Sequence, residues 1–320
     1  MLGGLLALIS AATFAWTNAA VRRGVRSGTV TQATSLSIPT GGPIFFAALL
    51  LTGRPGVIFD LPRVSVIVFA VVGVTHFCFG RYCNYRALNA IGTNLAGPVM
   101  QFNLVVSLAI AIVFLGETLT GLRIVGILLI VAGPAIVSRD RAPKKPVAAA
   151  AGFAPRLVEG YLFAFLAALF YGASPPLVRF AANGQGLAAA LAGGVIASLS
   201  ATAFTGLTLF FPGRWRDLRA VNREAAKWFM TSGMMVYVSQ IFAYMAVSIA
   251  PVTVTAPIIA LNNVFRIHLS RWLNPEHEVF GPKILVGTVV SFLGVVVISL
   301  SLDALPLPAF MAPLLAWRWP

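Results

Sequence analysis

The sequence predicts an all-α integral membrane protein with ten transmembrane helices, arranged as two inverted repeats of five helices each. Three observations lead to this prediction: an apolar composition, ten apolar segments of spanning length, and a duplication within the chain. Of the 320 residues, 58% are hydrophobic and only 10% are charged, whereas soluble domains average about 45–50% apolar and about 25% charged residues. So few charged side chains could not cover a soluble protein of this size, and the high apolar content excludes a disordered chain.

Apolar segments long enough to cross a bilayer follow one another along the chain. A spanning helix needs about 20 apolar residues, and charged residues or Gly and Pro turn signals separate ten such segments. The predicted spans are residues 2–21, 30–52, 64–88, 93–114, 120–137, 157–178, 186–211, 228–248, 252–273 and 283–302. Because no basic stretch precedes the first span, we expect it to be a retained helix and not a signal peptide.

The two halves of the chain resemble each other, because matching residues recur at an offset of about 160 positions. Pairs that are 159 residues apart are Tyr85 and Tyr244, Pro98 and Pro257, Asn103 and Asn262, and Glu117 and Glu276. Since five is an odd number, the second half must cross the membrane in the opposite direction, as in many secondary transporters. We therefore divide the chain into a first repeat (1–137), a basic linker (138–156), a second repeat (157–302) and a Pro- and Trp-containing tail (303–320) expected at the membrane interface.

The net charge of +14 is explained by membrane orientation better than by nucleic-acid binding. It arises from 23 Lys and Arg residues against nine Asp and Glu residues, with no recognisable nucleic-acid-binding motif. Most of the basic residues lie in the connections that follow the first, fifth, seventh and ninth spans. Because cytoplasmic loops accumulate Lys and Arg, both termini are predicted to lie outside the cytoplasm.

Short motifs occur in the same order in both halves. The first half contains Tyr85-Arg86-Ala87-Leu88, Pro98, Leu115-Gly116-Glu117-Thr118-Leu119-Thr120 and the stretch Gly126 to Gly133. More degenerate counterparts in the second half are Tyr244-Met245-Ala246-Val247 and Pro275-Glu276. In this order the motifs resemble those of the EamA-type transporters of the drug/metabolite transporter superfamily, over nearly the whole chain except the linker and the tail. The resemblance implies a ten-helix bundle that moves small metabolites or drugs by alternating access, and it does not imply one substrate.

Two recurring features of these motifs have a structural explanation. Glu117 and Glu276 stand at the ends of spans, where a carboxylate could couple transport to an ion or could cap or orient a helix. We expect the second role, because Glu is favoured in the first turn of a helix and neither residue lies in the middle of a span. Glycines spaced seven residues apart fall on one helix face and are expected to let the fifth and tenth spans pack closely. These glycines are Gly126, Gly133, Gly287 and Gly294.

Charged and polar residues inside the spans are candidates for binding a substrate. Arg81 and Arg266 lie well inside the third and ninth spans, where an arginine at the helix centre costs about 2.5–3.5 kcal/mol on insertion scales. The uncharged candidates on these and neighbouring spans are His76, Tyr85, Asn103, Gln240, Tyr244, Asn262 and Asn263. The alternative explanations are packing and, for the two arginines, extension of the side chain to the membrane interface.

The predicted function is secondary transport of a small polar metabolite, such as an amino acid, whose anionic group would meet Arg81 and Arg266. No Asp or Glu occupies the middle of a predicted span, which argues against a proton-driven exporter of cations. A lipid-handling, flippase-like carrier and a non-transporting membrane scaffold with the same fold are the alternatives. Without a catalytic triad or metal-ligand spacing, we expect no enzymatic activity, metal or cofactor. The expected partners are a small-molecule substrate and the bilayer of the cell membrane.

Overall fold

The computed structural model describes residues 2–25, 27–139, 156–262, 264–265, 268–269, 282–299 and 317–319. Helices follow the predicted apolar segments in both halves. Those of the first half are α1 (Leu2–Gly24), α2 (Val30–Ser37), α3 (Gly41–Leu51), α4 (Val57–Asp60), α5 (Arg63–Val72), α6 (Arg81–Met100), α7 (Phe102–Leu115) and α8 (Gly121–Arg139). Those of the second half are α9 (Leu157–Ala182), α10 (Gly186–Thr208), α11 (Arg214–Arg219), α12 (Arg223–Ile249), α13 (Val252–Ala260) and α14 (Pro282–Ser299).

Six helical stretches are long and apolar enough to cross a membrane. They are Leu2–Val21, Val30–Leu51, Arg63–Gly92, Leu157–Ala182, Gly186–Thr208 and Arg223–Ile249. Two shorter apolar helices, Phe102–Leu115 and Gly121–Ala132, raise the number in the described part of the chain to eight. The all-α prediction is therefore confirmed, with six to eight helices that could span a membrane. In the last two predicted spans, α13 covers the beginning of the ninth and α14 most of the tenth.

The third predicted span is irregular, and its irregularity places a histidine. A π-helical segment, Gly73–Gly80, separates α5 from α6 and carries His76. Segments of this type are rare and are frequently found at functional sites. At the far end of the span, Gly92 adopts φ 74° and ψ 175°, a conformation that is accessible mainly to glycine. The chain therefore turns at Gly92, between the predicted third and fourth spans.

Pairs of helices from the two halves pack side by side. α1 lies along α12, whereas α9 lies along α5, the π-helical segment and α6. α3 packs on α10, and α8 packs on α14. In the α8–α14 pair, a Cβ atom added to Gly294 would lie 2.6 Å from the carbonyl oxygen of Gly126. This confirms the expected close packing of the fifth and tenth spans at these two glycines.

A short antiparallel pairing, which the sequence does not predict, joins the end of the chain to the connection before α8. β1 (Leu119–Thr120) pairs with β2 (Arg318–Trp319), and Leu119 lies opposite Trp319. The N–H of Gly121 also donates to the carbonyl oxygen of Trp317, at 3.0 Å. Residues 317–319 therefore lie beside the connection that contains Glu117.

Candidate functional site

A cavity lies between α1, the π-helical segment, α7, α9, α12 and α13. It contains about 690 Å³ that protein atoms do not occupy, part of it open to solvent. Its polar lining residues are Ser10, His76, Asn103, Ser107, Tyr171, Ser174, Ser239, Gln240, Tyr244 and Asn262. No Asp, Glu, Lys or Arg is among the described residues that line it. An apolar pocket with a few well-placed polar groups is typical of a binding site for a small molecule.

Five of the nine predicted site residues line this cavity, and they come from both halves of the chain. They are His76, Asn103, Gln240, Tyr244 and Asn262. Asn103 and Asn262 are 159 residues apart, and each lies just after a one-residue interruption of the helix, at Gln101 and at Leu261. The Asn262 side chain donates to the carbonyl oxygen of Ile259, at 2.9 Å. Of the remaining candidates, Arg266 and Asn263 lie outside the described residues.

Three buried polar atoms of the cavity wall have no hydrogen-bond partner in the described part of the chain. They are Nδ1 of His76, Oγ of Ser107 and the hydroxyl oxygen of Tyr244. Buried polar groups are nearly always hydrogen-bonded, and leaving one unpaired costs about 1–3 kcal/mol. These three unsatisfied groups belong to residues that line the cavity and are therefore candidates for binding a polar ligand.

Sequence reasoning missed Ser107, although its spacing contained a signal. Ser107 follows Asn103 by four residues, so on a helix both side chains lie on one face. A serine in an apolar helix is usually satisfied by a carbonyl of the preceding turn, as Ser198 is by Val195 at 2.9 Å. Ser107 lacks such a bond, and only the structure distinguishes these two serines.

Other polar groups of the wall hold helices together. Ser10 on α1 and Ser239 on α12 lie 3.0 Å apart through their hydroxyls, and Ser239 also donates to the Ser10 carbonyl oxygen at 2.8 Å. Aromatic rings form another part of the wall, where Tyr171 packs on His76 and Phe14 with centroid distances of 4.7 and 6.2 Å. These contacts set the shape of the cavity.

Arg81 and Tyr85 were predicted to bind a substrate, but the structure places both behind the cavity wall. Arg81 is only 1% exposed, and its Nη1 donates to the hydroxyl of Ser37 at 3.3 Å. The hydroxyl of Tyr85 lies 3.4 Å from that of Ser232. These side chains project from α6 toward α2 and α12, because the helix presents a different face at residues 81 and 85 than at His76.

Glu117 has the capping role that the sequence predicts, but for a distant helix. Its two carboxylate oxygens accept hydrogen bonds from the backbone N–H groups of Val252 and Thr253, each at 2.8 Å. These residues form the first turn of α13, where unpaired N–H groups and the helix dipole favour a negative charge. Arg123 adds a bond to the Thr253 hydroxyl, at 3.3 Å. The connection before α8 is thus attached to the start of α13.

No group of His, Cys, Asp and Glu within the described ranges is arranged to hold a metal ion. The long apolar helices indicate a multi-pass integral membrane protein, and a cavity with polar lining residues lies between its helices. The model of the EamA-like transporter family matches residues 1–139 and again residues 158–300. The chain therefore belongs to the EamA-like transporter family.

Known structures support the fold alone. A solved chain described only as the crystal structure of a protein superimposes with a TM-score of 0.64 and 20% sequence identity. The alignment covers 92% of this chain and 95% of the other. No protein of curated function matches the sequence.

Proposed function

We propose that this protein is a secondary transporter that moves a small polar metabolite through the cavity by alternating access. The observation that carries the proposal is the set of unpartnered polar atoms on His76, Ser107 and Tyr244 inside an apolar bundle. A membrane scaffold with the same fold that does not transport would not need an open cavity with unsatisfied polar groups, so these groups favour a transporter over a scaffold. Membership of a family of transporters supports the same function.

We further propose that residues 1–137 and 157–302 form two inverted repeats of five spans, joined by the linker at 138–156. The helix packing supports this arrangement. If each span is replaced by its equivalent in the other half, the same pairs of neighbouring helices result. α1 on α12 joins the first and eighth spans, and α9 on α6 joins the equivalent sixth and third spans. Two further pairs, α3 with α10 and α8 with α14, each join a span to its own equivalent.

A fusion at the C-terminus tests the orientation proposed for these spans. With ten spans and the basic connections in the cytoplasm, a C-terminal alkaline phosphatase is expected to be active and a C-terminal green fluorescent protein dark. The pair of fusions would be compared in one bacterial host. Fluorescence without phosphatase activity would show that the orientation is the opposite of the one proposed.

Replacing Ser107 by alanine is expected to lower transport without lowering stability. The alanine removes a hydroxyl that bonds to nothing in the described protein, so folding loses no hydrogen bond while the ligand loses one. We expect a tenfold or greater reduction in uptake, since a hydrogen bond worth about 1.5 kcal/mol corresponds to roughly a factor of ten. Uptake of a mixture of amino acids, organic acids, sugars and nucleosides into proteoliposomes would be followed by mass spectrometry, and the melting temperature measured in detergent.

Ser198→Ala provides the matched control. Ser198 is equally buried but is bonded to its own helix and does not line the cavity, so this variant should transport at the wild-type rate. Tyr244→Phe removes a second unpartnered hydroxyl and should behave like Ser107→Ala. Transport by both cavity variants at the level of Ser198→Ala would contradict a binding role for the cavity.

A further inference from the structure

Arg81 is a buried cation without a carboxylate partner in the described part of the chain. The five described acidic side chains have other environments: Glu159 pairs with Arg86 and Arg156, Glu117 caps α13, Asp217 bonds to Thr29 and Gln32, and Asp60 and Glu224 are exposed. Removing an ion from water without a partner is strongly unfavourable. A buried ionisable residue in a membrane-spanning helix is accordingly a candidate for a functional site.

The surroundings of Arg81 compensate its charge only in part. The guanidinium carbon lies 4.8 Å from the ring centroid of Tyr237 and 5.4 Å from that of Phe77, which is within the range of cation–π attraction. Nη1 bonds to Ser37, whereas Nη2 has no partner among the described residues. The N–H groups of Nη2 therefore have no acceptor in the described part of the chain.

Arg81 lies one layer of side chains behind the cavity. His76 and Tyr171 both line the cavity. The ring of His76 packs on that of Phe77, which in turn packs on the guanidinium group of Arg81. Beyond Tyr171, Nδ2 of Asn84 donates to the tyrosine hydroxyl at 3.5 Å, and Oδ1 of Asn84 has no partner among the described residues. Polar groups thus continue from the cavity past Tyr171 to the layer that contains Arg81.

The two halves of the chain place equivalent residues on different sides of this layer. Gln240 is 159 residues after Arg81, and Tyr244 is 159 residues after Tyr85. In the second half, Gln240 and Tyr244 line the cavity; in the first half, Arg81 and Tyr85 are buried behind it. Since inverted repeats are related by an axis in the membrane plane, the opposite-facing state is approached when the two halves exchange conformations. Arg81 and Tyr85 would then take the positions that Gln240 and Tyr244 have here.

We propose that Arg81 lines the cavity in the opposite-facing state and there binds the carboxylate or phosphate group of the transported molecule. This inference rests on the proposed transport function and narrows its substrate class to small anions or zwitterions. Arginine suits this role because its planar guanidinium group binds carboxylate and phosphate through two parallel hydrogen bonds. In the state described here the cavity wall contains Gln240 and is neutral, whereas in the opposite-facing state it would contain Arg81 and be cationic. The anion would therefore bind in the opposite-facing state and be released in this one.

Transport by charge-altered variants tests the proposal. Proteoliposomes containing wild-type protein, Arg81→Gln, Arg81→Lys or Arg86→Gln would be given amino acids, monocarboxylates and sugar phosphates together with uncharged sugars, nucleosides and amino acid amides. We expect the wild type to take up compounds with a carboxylate or a phosphate, and mass spectrometry distinguishes these two. Arg81→Gln should lose at least tenfold in rate, Arg81→Lys should retain part of it, and Arg86→Gln, which removes a charge from the same helix, should match the wild type.

Thiol labelling tests the change of exposure without relying on Arg81 variants. In a Cys78→Ser, Cys83→Ser background, Tyr85→Cys and Tyr244→Cys would be treated with a small water-soluble methanethiosulfonate reagent. Both cysteines should react, because each of the two positions lines the cavity in one of the two interconverting states. A Tyr85→Cys variant that never reacts while Tyr244→Cys does would overturn the proposal.

The outcomes separate this proposal from the transport function. Uptake of uncharged compounds at the same rate by wild type and Arg81→Gln would overturn the role of Arg81 and leave the transport function intact. If the wild type moves none of the compounds, the transport function is contradicted, and the role of Arg81 fails with it. A loss of uptake in Arg86→Gln equal to that in Arg81→Gln would also overturn the proposal.

Discussion

Gly73→Val is expected to leave little folded protein in the membrane. Gly73 begins the π-helical segment at its crossing with α10, and an added Cβ would overlap the carbonyl oxygen of Ala197 and the hydroxyl of Ser200. Since the first of these atoms belongs to the backbone of a packed helix, a rotamer change cannot relieve the clash. We expect a loss of about 3 kcal/mol in stability, the upper end of the usual range for overpacking. Size-exclusion profiles and melting temperatures of fluorescent fusions in detergent would measure the effect.

Gly206→Val serves as the control, because an added Cβ at Gly206 meets no atom within 4 Å. Gly206 lies on α10, the helix that Gly73 contacts. Both variants therefore add the same side chain to this pair of helices. The control should elute as the wild type does. A monodisperse Gly73→Val protein with an unchanged melting temperature would show that the crossing is not as close as the structure indicates.

Glu117→Ala is expected to destabilise the protein by about 2 kcal/mol, as for loss of a strong helix cap. The change removes two charge-assisted hydrogen bonds to the first turn of α13. Because α13 continues into the cavity wall at Ala256 and Ile259, transport should fall along with stability. Glu117→Gln retains one acceptor oxygen and should be intermediate in thermal unfolding experiments.

The comparison residue is Glu224, which lies in the first turn of α12. It is exposed, and Asn222 already caps that helix through a 2.7 Å bond to the N–H of Ala225. Glu224→Ala should therefore lower the melting temperature by much less than Glu117→Ala. Equal losses of melting temperature in the two variants would show that the two hydrogen bonds of Glu117 add nothing beyond the interaction of a carboxylate with the helix dipole.

The cavity was predictable where polar residues stand out against an apolar background. Asn103 and Asn262 are unusual in spans, recur at the same offset, and both line the cavity. Ser107 was not predictable, because a serine in a membrane helix is common and only its missing hydrogen bond distinguishes it. Arg81 was recognisable as exceptional, yet its position behind His76 and Tyr171 depends on how the π-helical segment rotates α6. A face assignment from sequence spacing assumes a regular α-helix, and it therefore fails across the π-helical segment.

The sequence by itself determined the membrane class, the helical segments, the duplication and the family, because these depend on composition and local periodicity. It also identified Glu117 as a helix cap, since the preference of a carboxylate for a helix start is local chemistry. Only the tertiary structure decided that the capped helix is α13, 135 residues away, and that β2 joins the connection beside it. Which face of each helix meets the cavity was likewise decided by packing, because every face of an apolar helix is compatible with lipid until its neighbours are known.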